Sequence, residues 1–194
     1  MRAGPADIVA TPSAARLGRS LRTWRALRRV KQSHAAELLG VSQATVSRWE
    51  RGGHEPSPAE QRALRYLLCA RPDSAADREL VRLVMQSGGD MHLVCDLTHR
   101  LLAASSSRRA CWRRSYAELE NTSFWRYASE AIVEAEGRLA ELGWYEPAPP
   151  EVRVRTGPNA SSIVPIRPCV TRWVRIPLSD GSFARLTESC PIEA

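Results

Sequence analysis

The sequence predicts an N-terminal all-α bundle of four to five helices, followed by an α+β domain with an antiparallel five-stranded sheet. Apolar residues recur at helical spacing as far as residue 86, Ser87-Gly88-Gly89 breaks that pattern, and runs rich in Val and Ile follow. A length of 194 residues suits one large or two small domains, and 43% hydrophobic with 25% charged residues is typical of a globular chain.

The first two helices are predicted from apolar spacing. Residues 1–15 show no periodicity and are expected to form a flexible arm. The first helix begins at Arg16, and four apolar residues share one of its faces: Leu17, Leu21, Trp24 and Leu27. The second is expected over Ser33–Leu39 and ends at Gly40, which lacks a Cβ and permits a left-handed turn.

Three further helices are predicted from residues that favour helix ends. Ser42 is a good N-cap for a helix over Gln43–Arg51, which a glycine pair ends. Residues 57–60, Ser-Pro-Ala-Glu, form a capping box with proline at the first helical position, and Leu64, Leu67 and Leu68 give the fourth helix its apolar face. The fifth spans Ser74–Gln86, with an apolar stripe of Leu80, Leu83 and Val84.

The second domain is predicted as strands that enclose a helical stretch. Two strands, Met91–Leu97 and Arg100–Ala104, are joined by a polar turn over residues 96–99. Helix is expected from Arg108 to Leu142, with an interruption near residues 121–123 and an end at the prolines that follow. The candidate strands after it are Glu151–Arg155, Ser162–Ile166, Thr171–Pro177 and, beyond a hairpin signal at 178–182, Phe183–Thr187.

The basic charge is concentrated in the first third of the chain. Residues 1–72 hold 13 Lys/Arg and 5 Asp/Glu, a net charge of +8, whereas residues 73–194 hold 15 and 16, a net charge of −1. A local positive excess favours a polyanion partner, since each neutralised phosphate releases counterions. The alternative is a composition bias toward arginine, but such a bias does not explain why acidic residues avoid the same segment.

The segment from Gln32 to Gly52, QSHAAELLGVSQATVSRWERG, closely resembles the Xre/Cro-type helix-turn-helix of phage and bacterial repressors. Ala36 is small enough to let two helices cross closely, and Gly40 makes the turn between them. The resemblance covers about residues 17–68 and implies a DNA-binding regulator of transcription.

The resemblance implies that the third helix enters the major groove of double-stranded DNA. It assigns base contacts to four residues: Gln43, Ala44, Ser47 and Arg48. A glutamine can form two hydrogen bonds with adenine, and an alanine can pack on a thymine methyl group. An arginine can donate hydrogen bonds to the O6 and N7 acceptors of guanine. It assigns phosphate contacts to three residues: Gln32, Thr45 and Arg51.

Alternatives for these residues stay open at this point. Arg48 could pair with Glu50 or Glu55 on a solvated face, and Thr45 and Ser47 could be ordinary surface residues. Glu50 is expected to anchor a loop or a neighbouring helix, because a carboxylate repels phosphate.

The sequence predicts neither catalysis nor a bound metal or cofactor. Self-cleaving repressors need a lysine as general base, and the only lysine, Lys31, lies in the DNA-binding segment. There is no GxSxG, Walker or GxGxxG motif. His92 and Cys95 are three residues apart on a predicted strand and so point to opposite faces.

The expected location is the cytoplasm. Five cysteines are scattered without a CxxC motif, which favours a reducing compartment. No apolar run approaches the roughly 20 residues that cross a bilayer, and the N-terminus has no apolar signal region, so no membrane partner is expected.

The second domain resembles a PAS-type sensor domain. The resemblance covers about residues 90–188 and rests on the order of elements, with an opening hairpin over Met91–Ser105 and a closing hairpin over Trp173–Thr187. It implies small-molecule sensing or dimerisation, with a cavity between helices and sheet. Five aromatic residues are candidates for its lining, the alternative being plain core: Trp112, Phe124, Trp125, Tyr127 and Trp173.

These inferences divide the chain into four parts: an arm (1–15), a helix-turn-helix domain (16–72), a linker helix (73–89) and a PAS-like domain (90–190). We expect a homodimer, because one recognition helix reads too few bases. The fifth helix could pair with its copy, or its stripe could pack on its own chain. The competing function is an antitoxin-like protein-interaction module that regulates its own synthesis.

Overall fold

The N-terminal region is helical, as its periodicity predicts. The computed structural model describes residues 14–190, with side chains from Arg16 onward. The helices are α1 (Ala14–Arg28), α2 (Gln32–Leu39), α3 (Gln43–Arg51), α4 (Pro58–Leu68) and α5 (Ala75–Gln86). The predicted arm lies outside the described residues up to position 13, and its last two residues already belong to α1.

The core of this bundle consists of the apolar faces that the sequence predicts. Its buried residues are Leu17, Leu21, Trp24, Ala35, Ala36, Val46, Trp49, Leu64 and Leu68. Helices α1 and α3 approach each other most closely at Gly18, where a Cβ would overlap the Trp49 carbonyl group. Glycine is therefore required at this crossing, and the sequence patterns gave no sign of it.

The second domain contains an antiparallel five-stranded sheet, which confirms the predicted fold class. Its strands are β1 (Met91–Cys95), β2 (Leu101–Ala104), β3 (Val152–Thr156), β4 (Cys169–Pro177) and β5 (Phe183–Cys190). Their order across the sheet is β2-β1-β5-β4-β3, so the first and last strands in the chain are central neighbours. Strand β1 ends two residues before its predicted end because Asp96 begins the turn to β2.

The stretch predicted as helix from Arg108 to Leu142 is more broken than expected. It contains α6 (Ser106–Ala110), α7 (Tyr116–Leu119), a 3₁₀ turn (Phe124–Tyr127) and α8 (Glu130–Gly137). Serine caps interrupt it repeatedly: Ser115 closes a capping box with Glu118, which starts a new helix instead of continuing the old one. These short elements cover one face of the sheet and enclose the cavity described below.

The prediction of a strand over Ser162–Ile166 is wrong, because this segment is a loop. Prolines at 158, 165 and 168 remove backbone donors that a strand ladder needs. The Asn159 side chain supplies the bonds instead: its amide nitrogen donates to the Tyr127 and Val164 carbonyls at 2.7 and 3.0 Å, and its oxygen accepts from the Ile166 N–H at 2.9 Å. The loop thus buries Val164 without joining the sheet.

Helix α5 packs against the sheet of its own chain. Val84 is buried there and Leu80 is partly buried, in a cluster with residues of β1 and β2. Only Leu83 of the predicted stripe points away, with 55% of its surface exposed. The stripe is therefore mainly intramolecular, as the alternative interpretation held. None of the helices within residues 14–190 is both long enough and apolar enough to cross a bilayer.

Candidate nucleic-acid interface and ligand cavity

Helix α3 is held firmly at both ends. The Ser42 hydroxyl accepts a hydrogen bond from the Thr45 backbone N–H at 3.1 Å, which confirms the predicted N-cap. Gly40 and Gly52 both adopt left-handed conformations, with φ of 66° and 73°. Val46 and Trp49 anchor the inner face in the core. The outer face is thereby presented to solvent in a fixed orientation.

The residues predicted to contact bases lie together on this outer face. Gln43, Ala44 and Arg48 are exposed and Ser47 is half-buried. The Arg48 guanidinium makes one long hydrogen bond, 3.4 Å to the Thr45 hydroxyl, and forms no ion pair with a described carboxylate. The alternative in which Arg48 pairs with Glu50 or Glu55 is therefore not the arrangement in this structure.

The residues predicted to contact phosphate have different environments. Arg51 is exposed, and its Nε donates to the Ser47 carbonyl at 3.2 Å. Thr45 is half-buried beside the N-cap. The Gln32 amide donates to Glu50 Oε2 at 2.9 Å, so one of its two N–H groups is already used within the protein.

Glu50 is a buried anchor between helices, as expected from its charge. Arg25 Nε and Nη2 donate to its two carboxylate oxygens at 2.6 and 2.7 Å, in a bidentate ion pair between α1 and α3. Burial opposes ionisation of Glu50, but the bonds from Arg25 and Gln32 outweigh it and lower its pKa. The sequence suggested the role but not the partner, which lies 25 residues away.

A cavity of about 360 Å³ lies between the helices and the sheet of the second domain. Four of the five predicted aromatic residues line it: Phe124, Trp125, Tyr127 and Trp173. Trp112 does not line it: its ring packs behind Phe124 at 5.3 Å between centroids, in the buried core. The volume lies within the range of small-molecule sites, roughly 300–1,000 Å³.

Polar and charged side chains also line the cavity, and they come from the sheet and from the elements that cover it. His92 projects from β1, and burial together with the nearby Arg108 cation holds its pKa well below its usual range, so its ring is neutral at pH 7. The side chain of Arg108 is 11% exposed, and its closest carboxylate is Asp90 at 3.7 Å. It makes no hydrogen bond to a side chain or carbonyl of residues 14–190, which leaves guanidinium N–H groups available to a bound molecule.

The cavity wall is in direct contact with the first helix of the N-terminal bundle. The Arg16 guanidinium of α1 stacks on the Trp125 ring at 3.3 Å and donates to Glu136 Oε1 at 3.0 Å. It also lies 3.2 Å from the ring nitrogens of His99. Burial lowers the pKa of Arg16 to about 10, which keeps the group charged at pH 7.

Two more hydrogen bonds hold α1 on the second domain. The Ser20 hydroxyl donates to the Leu97 carbonyl at 3.1 Å, and Arg28 donates to the Asp180 carbonyl in the β4–β5 hairpin at 2.7 Å. Together with Arg16 these residues form what we call the α1 junction. The outer side of α1 is therefore an interface, while its inner side builds the helical core.

Beneath the α1 junction lies a buried ionic cluster that sequence analysis missed. Asp96, predicted only as a turn residue, accepts hydrogen bonds from Arg185, Arg175 and the Trp144 indole at 2.7 to 3.1 Å. Arg185 also pairs with Glu136 at 2.6 Å. Arginines that alternate with apolar residues on a strand are usually exposed. The sequence pattern therefore gave no indication that Arg175 and Arg185 are buried.

No metal site is apparent within residues 14–190, where no group of three or more His, Cys, Asp or Glu side chains is arranged to hold an ion. His92 lines the cavity, whereas the Cys95 sulfur contacts the end of α4 on the other face of the sheet. The two residues thus point to opposite sides of the strand, as their spacing predicts.

Comparison with known proteins assigns the N-terminal region to a class. Residues 16–78 match a family model described as a helix-turn-helix domain. That span contains α1 to α4 and the first residues of α5, and so includes the whole exposed face of α3. The chain carries the domain of a helix-turn-helix DNA-binding regulator. No curated protein matches the sequence.

Proposed function

We propose that this protein is an Xre-type transcription regulator that reads a specific duplex sequence through α3 and has no catalytic activity. The observation that carries the proposal is the exposed face of α3, where Gln43, Ala44 and Arg48 project from a rigidly capped helix beside Ser47. Side chains of these types form hydrogen bonds and apolar contacts with base edges. Gln32, Thr45 and Arg51 flank that face and would fix the helix on the phosphate backbone.

The proposed regulator acts as a homodimer on a pseudo-palindromic operator, in the manner of a repressor. Two recognition helices related by a two-fold axis read two half-sites and supply the specificity that one helix lacks. Leu83 of α5 and Tyr66 of α4, with 55% and 71% of their surfaces exposed, are large apolar or aromatic side chains on the outside of the helical region. A dimer interface that covers them would explain their exposure in the single chain.

An unbiased selection from a random duplex library tests the DNA-binding part of the proposal. The full-length protein at moderate ionic strength should enrich one related set of sequences, with two half-sites about one helical turn apart. The affinity for the enriched sequence should fall steeply with added salt, because phosphate contacts release counterions. Recovery of random sequences alone would contradict the proposal.

We also propose that the second domain is a PAS-like sensor and that its ligand is a small, largely apolar molecule with one acidic group. The order of elements supports the PAS-like interpretation, and the aromatic lining suits an apolar body. Arg108 is the buried cation available to the acidic group, with neutral His92 beside it as a hydrogen-bonding partner.

The α1 junction gives this sensor a route to the DNA-binding domain. Trp125 and His99 line the cavity and also contact Arg16 on α1. A molecule that displaces the Trp125 ring would move the Arg16 side chain that stacks on it. This movement would reach α3, because α1 packs directly on that helix. Ligand binding would thereby change the position of the recognition helices and the affinity for the operator.

Native mass spectrometry of the purified protein tests the sensor. The wild type should retain a small molecule, or take up small aromatic carboxylates that raise its melting temperature. Ala128 lines the cavity, so Ala128→Leu should fill it and abolish both effects. The matched control is Ala117→Leu on the exposed side of α7. If neither effect is seen in the wild type, the sensory role is wrong, while the DNA-binding role is judged by the selection alone.

A further inference from the structure

Two cysteines from different domains meet where α4 ends against the sheet. Cys69 follows the last residue of α4, and Cys95 is the last residue of β1. The Cys95 sulfur accepts a hydrogen bond from the Ala70 N–H at 3.2 Å and lies 3.6 Å from the Leu68 carbonyl oxygen. It therefore contacts both chain neighbours of Cys69, which places the two cysteines side by side where the domains meet.

The two thiols differ in accessibility. Cys95 is 1% exposed, whereas Cys69 is half-buried and lines two surface clefts between the domains. One of these clefts, which we call the arginine cleft, is lined by five arginines and by no carboxylate of the described residues: Arg16, Arg65, Arg71, Arg100 and Arg126. A small oxidant can reach Cys69 there.

The surroundings also favour ionisation of the pair. Burial opposes a charge on Cys95, but hydrogen bonds from Cys69, the Ala70 N–H and Thr98 lower its pKa to about 6. The Thr98 hydroxyl lies 3.6 Å from the Cys69 sulfur as well. Two coupled thiols lose their first proton as a pair. At neutral pH that leaves a thiolate on the buried Cys95, while the contact with Cys95 and burial raise the pKa of Cys69.

We propose that Cys69 and Cys95 are a redox-active pair that a hydroperoxide converts into an intramolecular disulfide between the two domains. The Cys69 sulfur loses its proton as it attacks the distal peroxide oxygen, the O–O bond breaks, and the leaving alkoxide or hydroxide takes up that proton. Cys69 is then a sulfenic acid. The Cys95 thiolate attacks its sulfur, the S–S bond forms, and the hydroxide that leaves is protonated to water. Two thiols are oxidised, and one peroxide is reduced to an alcohol or water, plus a second water.

The disulfide would enclose the segment that connects the two domains. Residues 70–94 lie between the two cysteines and contain all of α5. A covalent bond at this position would fix the end of α4 to β1 and limit any movement of the helix-turn-helix domain on the sheet. It would also restrict the unfolded chain, so the oxidised protein should melt at a higher temperature.

Peptide mapping after oxidation tests the proposal. The reduced full-length protein is treated with a small excess of hydrogen peroxide, alkylated, and digested without reductant. We expect a linked peptide pair that contains Cys69 and Cys95, a loss of two hydrogen atoms from the intact mass, and reversal by dithiothreitol. Cys69→Ser and Cys95→Ser should each abolish the link, and Cys111→Ser, at the exposed cysteine of the described region, should leave it unchanged.

A second readout detects the sulfenic acid before the disulfide forms. In Cys95→Ser the oxidised Cys69 has no partner, so a sulfenic-acid probe such as dimedone should label it. If that variant does not fold, Cys69→Ser alone still tests the link. The proposal is overturned if peroxide oxidises Cys111 while Cys69 and Cys95 remain alkylatable. It is also overturned if the dominant link joins another pair, such as Cys169 and Cys190.

Discussion

At the scale of single residues, Arg48 is the position where the proposed contact with a base can be distinguished from a contact with phosphate. It is exposed on α3 and is bonded only weakly, at 3.4 Å, to Thr45. Little has to be broken before it can reach a guanine. Arg51, one turn further along α3, already donates to a backbone carbonyl and lies farther from the N-terminal end of the helix.

Replacing Arg48 by alanine should weaken binding to the selected duplex by about 1–3 kcal/mol and relax the preference at one base pair. Arg51→Ala should weaken binding to the selected and the random duplexes alike. It should also reduce the salt dependence of the affinity by about one counterion. Titration of both duplexes at several salt concentrations measures these effects. Arg62→Ala, at an exposed arginine of α4, serves as the control. If Arg48→Ala loses the same affinity for both duplexes, Arg48 contacts phosphate and not a base.

Residue roles could be predicted where the signal is local and could not where it depends on distant partners. Ser42, Gly40 and the exposed residues of α3 follow from short sequence patterns. The partner of Glu50 is Arg25, and the partners of Asp96 are strand arginines about 80 or more residues away. No spacing rule relates such positions, because only the folded chain brings them together.

At the scale of elements, the crossing of α1 and α3 depends on one missing side chain. Gly18 faces the Trp49 carbonyl, which belongs to backbone that cannot move without disturbing α3. This close approach packs the backbone of α1 at Gly18 directly against α3. The geometry of the DNA-binding surface is therefore set in part from α1.

Gly18→Ala should reduce the free energy of unfolding by about 1–3 kcal/mol, the usual cost of overpacking a core. Gly137 in α8 is a matched helical control, since nothing lies within 4 Å of the position where its Cβ would be. Gly137→Ala should be neutral or stabilise by up to about 1 kcal/mol. Urea unfolding monitored by circular dichroism measures both. Similar effects of the two substitutions would contradict the close crossing.

Elements with strong end signals could be predicted, and those that depend on tertiary hydrogen bonds could not. The capping boxes at Ser57 and Ser74 start helices where expected. Ser162–Ile166 has strand-like composition, yet Asn159 and nearby prolines hold it as a loop. Its composition therefore predicted the wrong conformation, and within the segment only Val164 is buried.

At the scale of the whole molecule, the α1 junction makes the two domains energetically dependent on each other. Arg16 and Glu136 are both largely buried, with 13% of each side chain exposed. A double-mutant cycle with Arg16→Ala and Glu136→Ala should give a coupling energy of about 1–2 kcal/mol in unfolding. The exposed pair Arg114 and Glu118 should give no more than about 0.5 kcal/mol. Additive effects at the buried pair would show that the junction does not connect the domains.

Stability should also fall between pH 7 and pH 5. Burial lowers the pKa values of His92 and His99, so the unfolded chain takes up protons near its own pKa of about 6.5 while the folded chain does not. The unfolded state then binds more protons, and each histidine reduces the free energy of unfolding by up to about 1.4 kcal/mol per pH unit below that value.

Urea unfolding at pH 7 and pH 5 checks this dependence. In His92→Gln the free energy of unfolding should decrease less between pH 7 and pH 5 than in the wild type. In His54→Gln, at an exposed position after α3, the decrease should be the same as in the wild type. Identical pH dependence in wild type and His92→Gln would contradict it. Below about pH 4.5 a further loss is expected, because ion pairs lower the pKa values of Glu50 and Glu136.

The two-sided use of α1 has a practical consequence for anyone who builds hybrid regulators. Exchange of everything after α5 for an unrelated domain would leave Arg16, Ser20 and Arg28 without their present partners. A graft that keeps these contacts must carry over the outer side of the first helix together with the new domain, although the two are separated by the entire helix-turn-helix motif.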